Sequence, residues 1–291
     1  MQPARQGVLS GDERRHRVTG RDVTVGGGRY HVWSAGDRHA PAVLLIHGLG
    51  WDARRLWEAQ MLRLADAGWH VLAPDLLGVG ASAPLVAPRP AGGFAADMMA
   101  ILAAFDLRDC AVVGFSMGGP IALALAALPG TPVRAAAICC SGGPTTTDQS
   151  AATEAMIAAA SAKGADAFAR DQAEAIWHPA WARAHPADVA AFVGWRAAMD
   201  QASLFNAFRS NAVAGDPVRP VGCPCVVIAA DHDSFVPVEA ARRLARDLGD
   251  ADFVLIENSG HMVPIEQPDA FDAALGAFLE RCWPAGVAGH A

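Results

Sequence analysis

An α/β fold, with eight strands in a mostly parallel sheet flanked by helices and with a helical insertion, is predicted by three observations. Short apolar runs alternate along the chain with stretches of helical periodicity, as β-α-β units require. The runs are close to continuously apolar, so both faces of the sheet must be covered. The alternation stops between Gly143 and about Pro220, where helical stretches appear without a buried strand.

Taken in order, strands are expected at 14–20, 29–35, 42–47, 69–74, 110–115, 134–140, 225–231 and 252–257, the first two forming an antiparallel hairpin through Gly26-Gly27-Gly28. Helices are expected at 53–67, 93–106, 117–128, 237–248 and 268–282, with Gly68 and Gly249 as C-terminal stops. The 291 residues, 52% hydrophobic, suffice for one large domain with an insertion. Its expected division is a core of 1–142 and 221–291 and a helical cap of 143–220, whose Trp177, Trp181, Phe192, Trp195, Met199, Phe205 and Phe208 pack it onto the core. Some of these aromatics should line a cleft between the two parts, since ligand pockets have mainly apolar walls.

A formal net charge of −7 argues against nucleic-acid binding, which needs a basic stripe, and Arg14, Arg15 and Arg17 are too short a cluster to supply one. The N-terminus, MQPARQGVLSGDERRH, carries charges where a signal peptide needs an apolar stretch, and no run approaches the ~20 apolar residues of a membrane span. The expectation is therefore a soluble, cytoplasmic protein with no membrane span and no cofactor. Six cysteines, including Cys139-Cys140 and Cys223-Pro224-Cys225, lie in or beside apolar runs, and their spacing suits buried thiols rather than a metal or redox motif. Composition leaves the oligomeric state open.

Chemistry concentrates first at Val112-Val113-Gly114-Phe115-Ser116-Met117-Gly118-Gly119-Pro120, a buried strand that breaks into a helix through one serine. In Gly-x-Ser-x-Gly the serine occupies a very sharp turn, and side chains at Gly114 or Gly118 would collide with neighbouring backbone. The turn lifts the hydroxyl off the sheet and aims the first free amides of the helix at whatever it attacks. A serine hydroxyl needs a base, and the base an orienting group. His261 follows an apolar strand in the C-terminal third, and Asp233 follows another; both fall in loops over the strand ends, where open α/β sheets bind ligands. Asp231 competes with Asp233 for the orienting role. Asp231-His232-Asp233 also has the residue types of a metal site, but no further ligand cluster accompanies it.

Several loops together resemble the α/β-hydrolase superfamily, over nearly the whole chain. His47-Gly48-Leu49-Gly50 resembles its oxyanion loop and Asp75-Leu76-Leu77-Gly78-Val79-Gly80-Ala81-Ser82 the loop after its fourth strand. Gly114 to Gly118 is the nucleophile elbow. Ala230 to Pro237 resembles the acid loop, with Ala230 where glycine is usual, and Gly260-His261-Met262-Val263-Pro264-Ile265-Glu266-Gln267-Pro268 resembles the histidine loop. The resemblance implies Ser116 as nucleophile, His261 as base, Asp233 as its orienter, and the backbone amides of Leu49 and Met117 as oxyanion hole. His47, Asp75 and Ser82 are expected to shape loops. Trp51, Trp177, Trp181, Phe205 and Met262 are the candidates to contact a substrate.

A serine nucleophile excludes the relatives that attack through a carboxylate, namely haloalkane dehalogenases and soluble epoxide hydrolases. Tyr30, the single tyrosine, lies outside the expected cap, and Lys163, the single lysine, stands within it rather than beside Asp233, as lysine-dependent hydroxynitrile lyases would need. The expected reaction is hydrolysis of an ester, lactone or thioester of a small hydrophobic substrate through an acyl-enzyme. Two alternatives remain: carbon–carbon hydrolysis of a vinylogous diketone, and a non-hydrolytic receptor or biosynthetic cyclase on the same fold.

Overall fold

A computed structural model describes residues 17–283, except 145, 146, 216, 219 and 250. Eight strands, β1 (Thr19–Val25), β2 (Gly28–Ala35), β3 (Ala42–Ile46), β4 (His70–Pro74), β5 (Cys110–Phe115), β6 (Val133–Cys139), β7 (Cys225–Ala230) and β8 (Asp252–Ile256), form one sheet in the order β1-β2-β4-β3-β5-β6-β7-β8. β2 is antiparallel to both β1 and β4, while every other neighbouring pair is parallel.

The central strands β3, β4, β5 and β7 are buried at every residue, which is why they read as continuous apolar runs. Alternation separates their side chains. Val43 and Leu45 of β3 enter one core with Leu56, Trp57 and Met61 of α1 (Ala53–Asp66) and Phe271, Leu275 and Leu279 of α11 (Pro268–Cys282). Leu44 and Ile46 enter the core on the opposite face with α2 (Ala91–Ala104), α3 (Gly118–Ala126) and α9 (Val238–Asp247). α10 (Val263–Glu266) is a single turn before α11.

The helix ends follow local chemistry. Asp52 caps α1 by accepting from the Arg55 amide at 2.8 Å. Gly68 and Gly249 end α1 and α9 with φ of +87° and +88°, a conformation glycine adopts without a Cβ penalty.

The first strand departs from expectation. It runs Thr19–Val25 instead of 14–20, directly into a two-residue turn at Gly26 and Gly27, both with positive φ, and Val25 pairs with Gly28. A two-residue hairpin carries its ladder up to the turn, so the strand had to start later. Residues 14–16 of the expected strand lie outside the described residues.

Between β6 and β7 stand five helices, α4 (Ser150–Lys163), α5 (Ala165–Ile176), α6 (Pro179–Ala184), α7 (Pro186–Ala197) and α8 (Gln201–Ala212). Hydrogen bonds tie them to the rest: Ser203 Oγ accepts from the Leu85 amide at 3.0 Å, and Ile176 O accepts from the His261 amide at 2.9 Å. All six cysteines, each among the described residues, are free thiols. Among the described residues no helix is long and apolar enough to cross a membrane.

Strand order reverses direction at β3, whose neighbours β4 and β5 are reached by connections leading to opposite sides. The crevice beyond the C-terminal ends of such strands is where open α/β sheets place ligands. Here it receives the loop after β3 and the turn after β5.

Candidate active site

Phe115 ends β5, Gly118 begins α3, and Ser116 between them has φ +53°, a left-handed conformation that a non-glycine residue adopts at the expense of strain. Its neighbours must be small. A Cβ at Gly114 would run into Gly118 O, and one at Gly118 into Ile46 O. The Ser116 amide donates to Cys139 O at 2.8 Å, which ties the turn to β6 and fixes where the hydroxyl points.

The hydroxyl meets His261: Oγ and Nε2 are 2.9 Å apart. His261 Nδ1 lies 2.8 Å from Asp233 Oδ2, and these side chains are 8% and 1% exposed. The carboxylate places the ring proton on Nδ1 and leaves Nε2 to accept from the serine. Asp233 Oδ1 accepts from the amides of Phe235 at 2.9 Å and Val236 at 3.0 Å, so one oxygen anchors the acid loop and the other serves the ring. Phe115 and Phe235 flank the imidazole, each 5.1 Å away between centroids.

Asp231 does different work. Its two oxygens accept from the amides of Asn258 at 2.9 Å and Ser259 at 3.1 Å, stapling the loop after β7 to the loop after β8. Those hydrogen bonds and His232 hold its carboxyl below the usual range against the opposing effect of burial. Among the described residues, Asp231, His232 and Asp233 do not assemble a metal-ligand cluster.

Glu266, in the histidine loop, holds the backbone on both sides of His261. Its buried carboxylate accepts from the amides of Gly260 and Met262, on either side of His261, at 2.9 and 3.0 Å, and from the His178 amide at 2.9 Å. Burial pushes its pKa up and the three amides pull against that. The available signal was a lone acid within Val263-Pro264-Ile265, a run otherwise suited to burial.

On the opposite side, His47 is buried and Nε2 accepts from the Leu76 amide at 2.9 Å, leaving Nδ1 to donate to Gly48 O at 2.8 Å. Burial lowers its pKa, which keeps this tautomer neutral. The peptide whose carbonyl the ring grips is the one whose amide belongs to Leu49. Neither that amide nor the Met117 amide donates to any acceptor among the described residues. Asp75 and Ser82 build the next loop: Asp75 accepts from the Ala53 and Ala81 amides at 2.8 and 2.9 Å, and Ser82 Oγ donates to Asp75 O at 2.6 Å.

A cavity of about 890 Å³ opens above Ser116 and His261. Its walls include Leu49, Trp51, Met117, Ile176, Phe208, Val236, Gln172 and Arg196. Of the five residues expected to contact a substrate, Trp51 lines it and four do not. Trp177 is buried against Trp51 and stacks on Trp181 at 4.5 Å, while Trp181 also stacks on His185 at 4.3 Å. Phe205 packs on Phe168 at 6.3 Å in a separate small cluster, and Met262 is fully buried in the core. Helical aromatics satisfied one another before they could face the cavity. Phe208, one helical turn from Phe205, lines it instead. Arg196 and Gln172 were missed; a charged residue closing the apolar stretch Phe192-Val193-Gly194-Trp195 was the signal for the first.

A doubly covered sheet carrying serine, acid and histidine after β5, β7 and β8 fits a hydrolase of the α/β class, and a model of the alpha/beta hydrolase family matches residues 43–274. The chain belongs to that family and is an enzyme, a hydrolase. It is similar to "Putative carbamate hydrolase RutD" of Variovorax paradoxus, with 29% identity over 265 residues, 88% of this chain and 98% of that protein. Among solved structures it superposes on a thermophilic esterase from Thermogutta terrifontis with malate bound, at a TM-score of 0.80, 22% identity and coverage of 91% and 99% of the two chains. It superposes equally on the enol-lactonase from Burkholderia xenovorans, at a TM-score of 0.80, 22% identity and coverage of 89% and 99%. At these identities the two superpositions speak to the fold.

Proposed function

We propose that this enzyme is a serine hydrolase that cleaves a carboxylic ester, lactone or thioester of a small, largely apolar substrate through an acyl-enzyme. The observation that carries the reading is the continuous hydrogen-bonded chain from Ser116 Oγ through His261 to Asp233 Oδ2, at 2.9 and 2.8 Å, with two unpaired amides beside it.

In this reading Ser116 Oγ attacks the carbonyl carbon as its proton passes to His261 Nε2. Asp233 holds the ring in the correct tautomer and stabilises the imidazolium that forms. The oxyanion is received by the Leu49 and Met117 amides, donors that side-chain substitution cannot remove, and one such donor is typically worth about 10²–10³ in kcat. His261 returns its proton to the departing alcohol or thiol. Water, activated by the same imidazole, then releases the acid and restores Ser116. His47 is a positioning residue here, because its grip on Gly48 O sets the direction of the Leu49 amide. The five helices α4–α8 serve as a cap that closes the cavity, whose volume suits a small molecule and not a polymer chain.

The near full-length likeness to proteins named as carbamate hydrolases favours a second reading, in which the attacked carbonyl is that of a carbamic acid derivative and the same serine forms a carbamoyl-enzyme.

The test is intact-protein mass after treatment with a fluorophosphonate, run beside hydrolysis of short and medium 4-nitrophenyl esters. A single adduct and turnover, both lost in Ser116→Ala, are expected. Folded wild-type protein that forms no adduct and turns over no ester would return the chain to the receptor or cyclase alternative.

A further inference from the structure

We propose that the substrate carries a free carboxylate in addition to its scissile carbonyl, and that Arg196, projecting from the cap into the cavity beside the oxyanion loop, is the residue that receives it. The inference rests on the hydrolase reading above and narrows it to a class of substrate.

Arg196 is 3% exposed and is one of the residues that line the cavity over Ser116. No carboxylate among the described residues pairs with it. Its Nε is buried with no acceptor, and Nη1 has only Met199 Sδ at 4.0 Å, a weak acceptor. The faces of the guanidinium are covered, with Phe192 and Trp195 centroids 5.2 and 5.6 Å from its central carbon. Those contacts leave the in-plane N–H groups unused. Desolvation without a partner pushes its pKa down to about 9, which still leaves a cation at neutral pH.

Arg89 shows how this protein treats a half-buried arginine when the charge is structural. It donates to Asp97 Oδ1 at 2.6 Å, and Asp97 accepts from Tyr30 at 2.5 Å on its other oxygen. Arg196 has no such arrangement. A buried cation beside a cavity, with no carboxylate of its own, suits the bidentate geometry of a carboxylate.

Position narrows the chemistry further. A Cβ at Gly50 would run into Arg196 Nη1, so the guanidinium presses against the residue that follows Leu49, whose amide is the proposed oxyanion donor. Gly50 has φ +64° and no side chain, and both features let the cation approach. A substrate held by both groups therefore has its carboxylate only a few carbons from the carbonyl under attack. A single guanidinium matches one negative charge. The other arginine that lines the cavity among the described residues, Arg243, is exposed and shares that lining with Asp247. Gln172 Oε1, buried without a donor in the same cavity, would accept from a neutral hydroxyl or N–H elsewhere on the substrate.

The experiment has two parts. In the first, Ser116→Ala protein is titrated with propionate, benzoate and propionamide, followed by tryptophan fluorescence, since Trp51 and Trp195 adjoin the site. Saturable binding of the carboxylates but not the amide is expected, weakened at least tenfold by adding Arg196→Met and partly kept by Arg196→Lys. Inorganic phosphate binding more tightly than the carboxylates would overturn the choice of anion. In the second, kcat/KM is compared for mono-4-nitrophenyl adipate and 4-nitrophenyl hexanoate. Wild type should favour the hemiester, mainly through KM, and Arg196→Met should lower the ratio of the two by at least tenfold.

Equal losses on both esters, or loss of the preference in Arg243→Met instead, would overturn the proposal. Should Arg196→Met fail to take the fluorophosphonate label, the propionate–propionamide contrast on Ser116→Ala protein decides alone, and its absence is negative. Labelling of Ser116 without any carboxylate effect would sink this inference and leave the hydrolase; carboxylate binding without labelling would do the reverse.

Discussion

Behind the catalytic loops three carboxylates are fully engaged. Asp233 has two amides and a ring, Asp231 two amides and a ring, and Glu266 three amides. On the wall built from α5 and α7, Arg196 Nε and Gln172 Oε1 are buried with no partner among the described residues. Polar groups satisfied inside the protein hold one geometry and repeat one reaction whatever the substrate. Polar groups left unsatisfied in a cavity are held at a loss of stability, recovered when a matching ligand arrives. Under the proposed function the contrast assigns chemistry to the sheet side and selectivity to the side built from α4–α8.

The sharpest break between the walls is expected for the nucleophile and base. Ser116→Ala or His261→Ala should lower kcat by about 10⁶-fold in single-turnover assays while leaving ligand binding at Arg196 intact. Loss of binding together with turnover would mean that the walls are not separable. Next comes Asp233→Asn, expected to lower kcat by about 10⁴-fold through the wrong tautomer of His261. Asp231→Asn should cost about tenfold in kcat and mainly lower the melting temperature, because it loosens a staple and leaves the ring alone. A reversal of that order would move the acid role to Asp231.

Glu266→Gln tests whether engagement itself matters. The amide keeps one acceptor oxygen where three backbone donors now share two, so the loop around His261 should loosen. Expected are a stability loss of about 1–3 kcal/mol and a fall in kcat with little change in KM, read from denaturation and steady-state kinetics. An altered KM with unchanged kcat would place Glu266 on the selectivity side.

The smallest effect concerns acid. Burial lowers the pKa values of His47 and His70 from 6.5. Below that value the unfolded chain takes up protons that the folded chain refuses, so stability is complete above 6.5 and falls as pH drops towards the folded values of the two rings. Each ring contributes a slope of up to about 1.4 kcal/mol per pH unit. Urea denaturation between about pH 5 and 7.5 should show it, and His47→Asn should flatten it. An unchanged slope in that variant would remove His47 from the account.

The parallel strands could be read from sequence because burial on both faces leaves little but Val, Ile, Leu and Ala in β3, β5 and β7. β1 was misplaced because Val23 is its one buried residue, so no apolar run marks it. Ser116, Asp233 and His261 stood out through local motifs, each set by its own turn. Trp177 and Arg196 show why the cavity lining was harder to read: which side chains meet it depends on packing against Trp51 and Gly50, more than a hundred residues earlier in the chain. Spacing along α7 carries no record of that.

Ser116 and His261 are separated by 145 positions, and the histidine follows the sheet's last strand, β8, at the edge of the sheet. A ribosome adding about 5–20 residues per second needs roughly 7–30 s to cover that interval. On the proposed mechanism the growing chain displays, throughout that interval, a serine with no base, chemically silent towards any ester it meets. The enzyme so described acquires its reactivity only once β8 and the loop after it have been made, and an active-site label reports that this strand has taken its place.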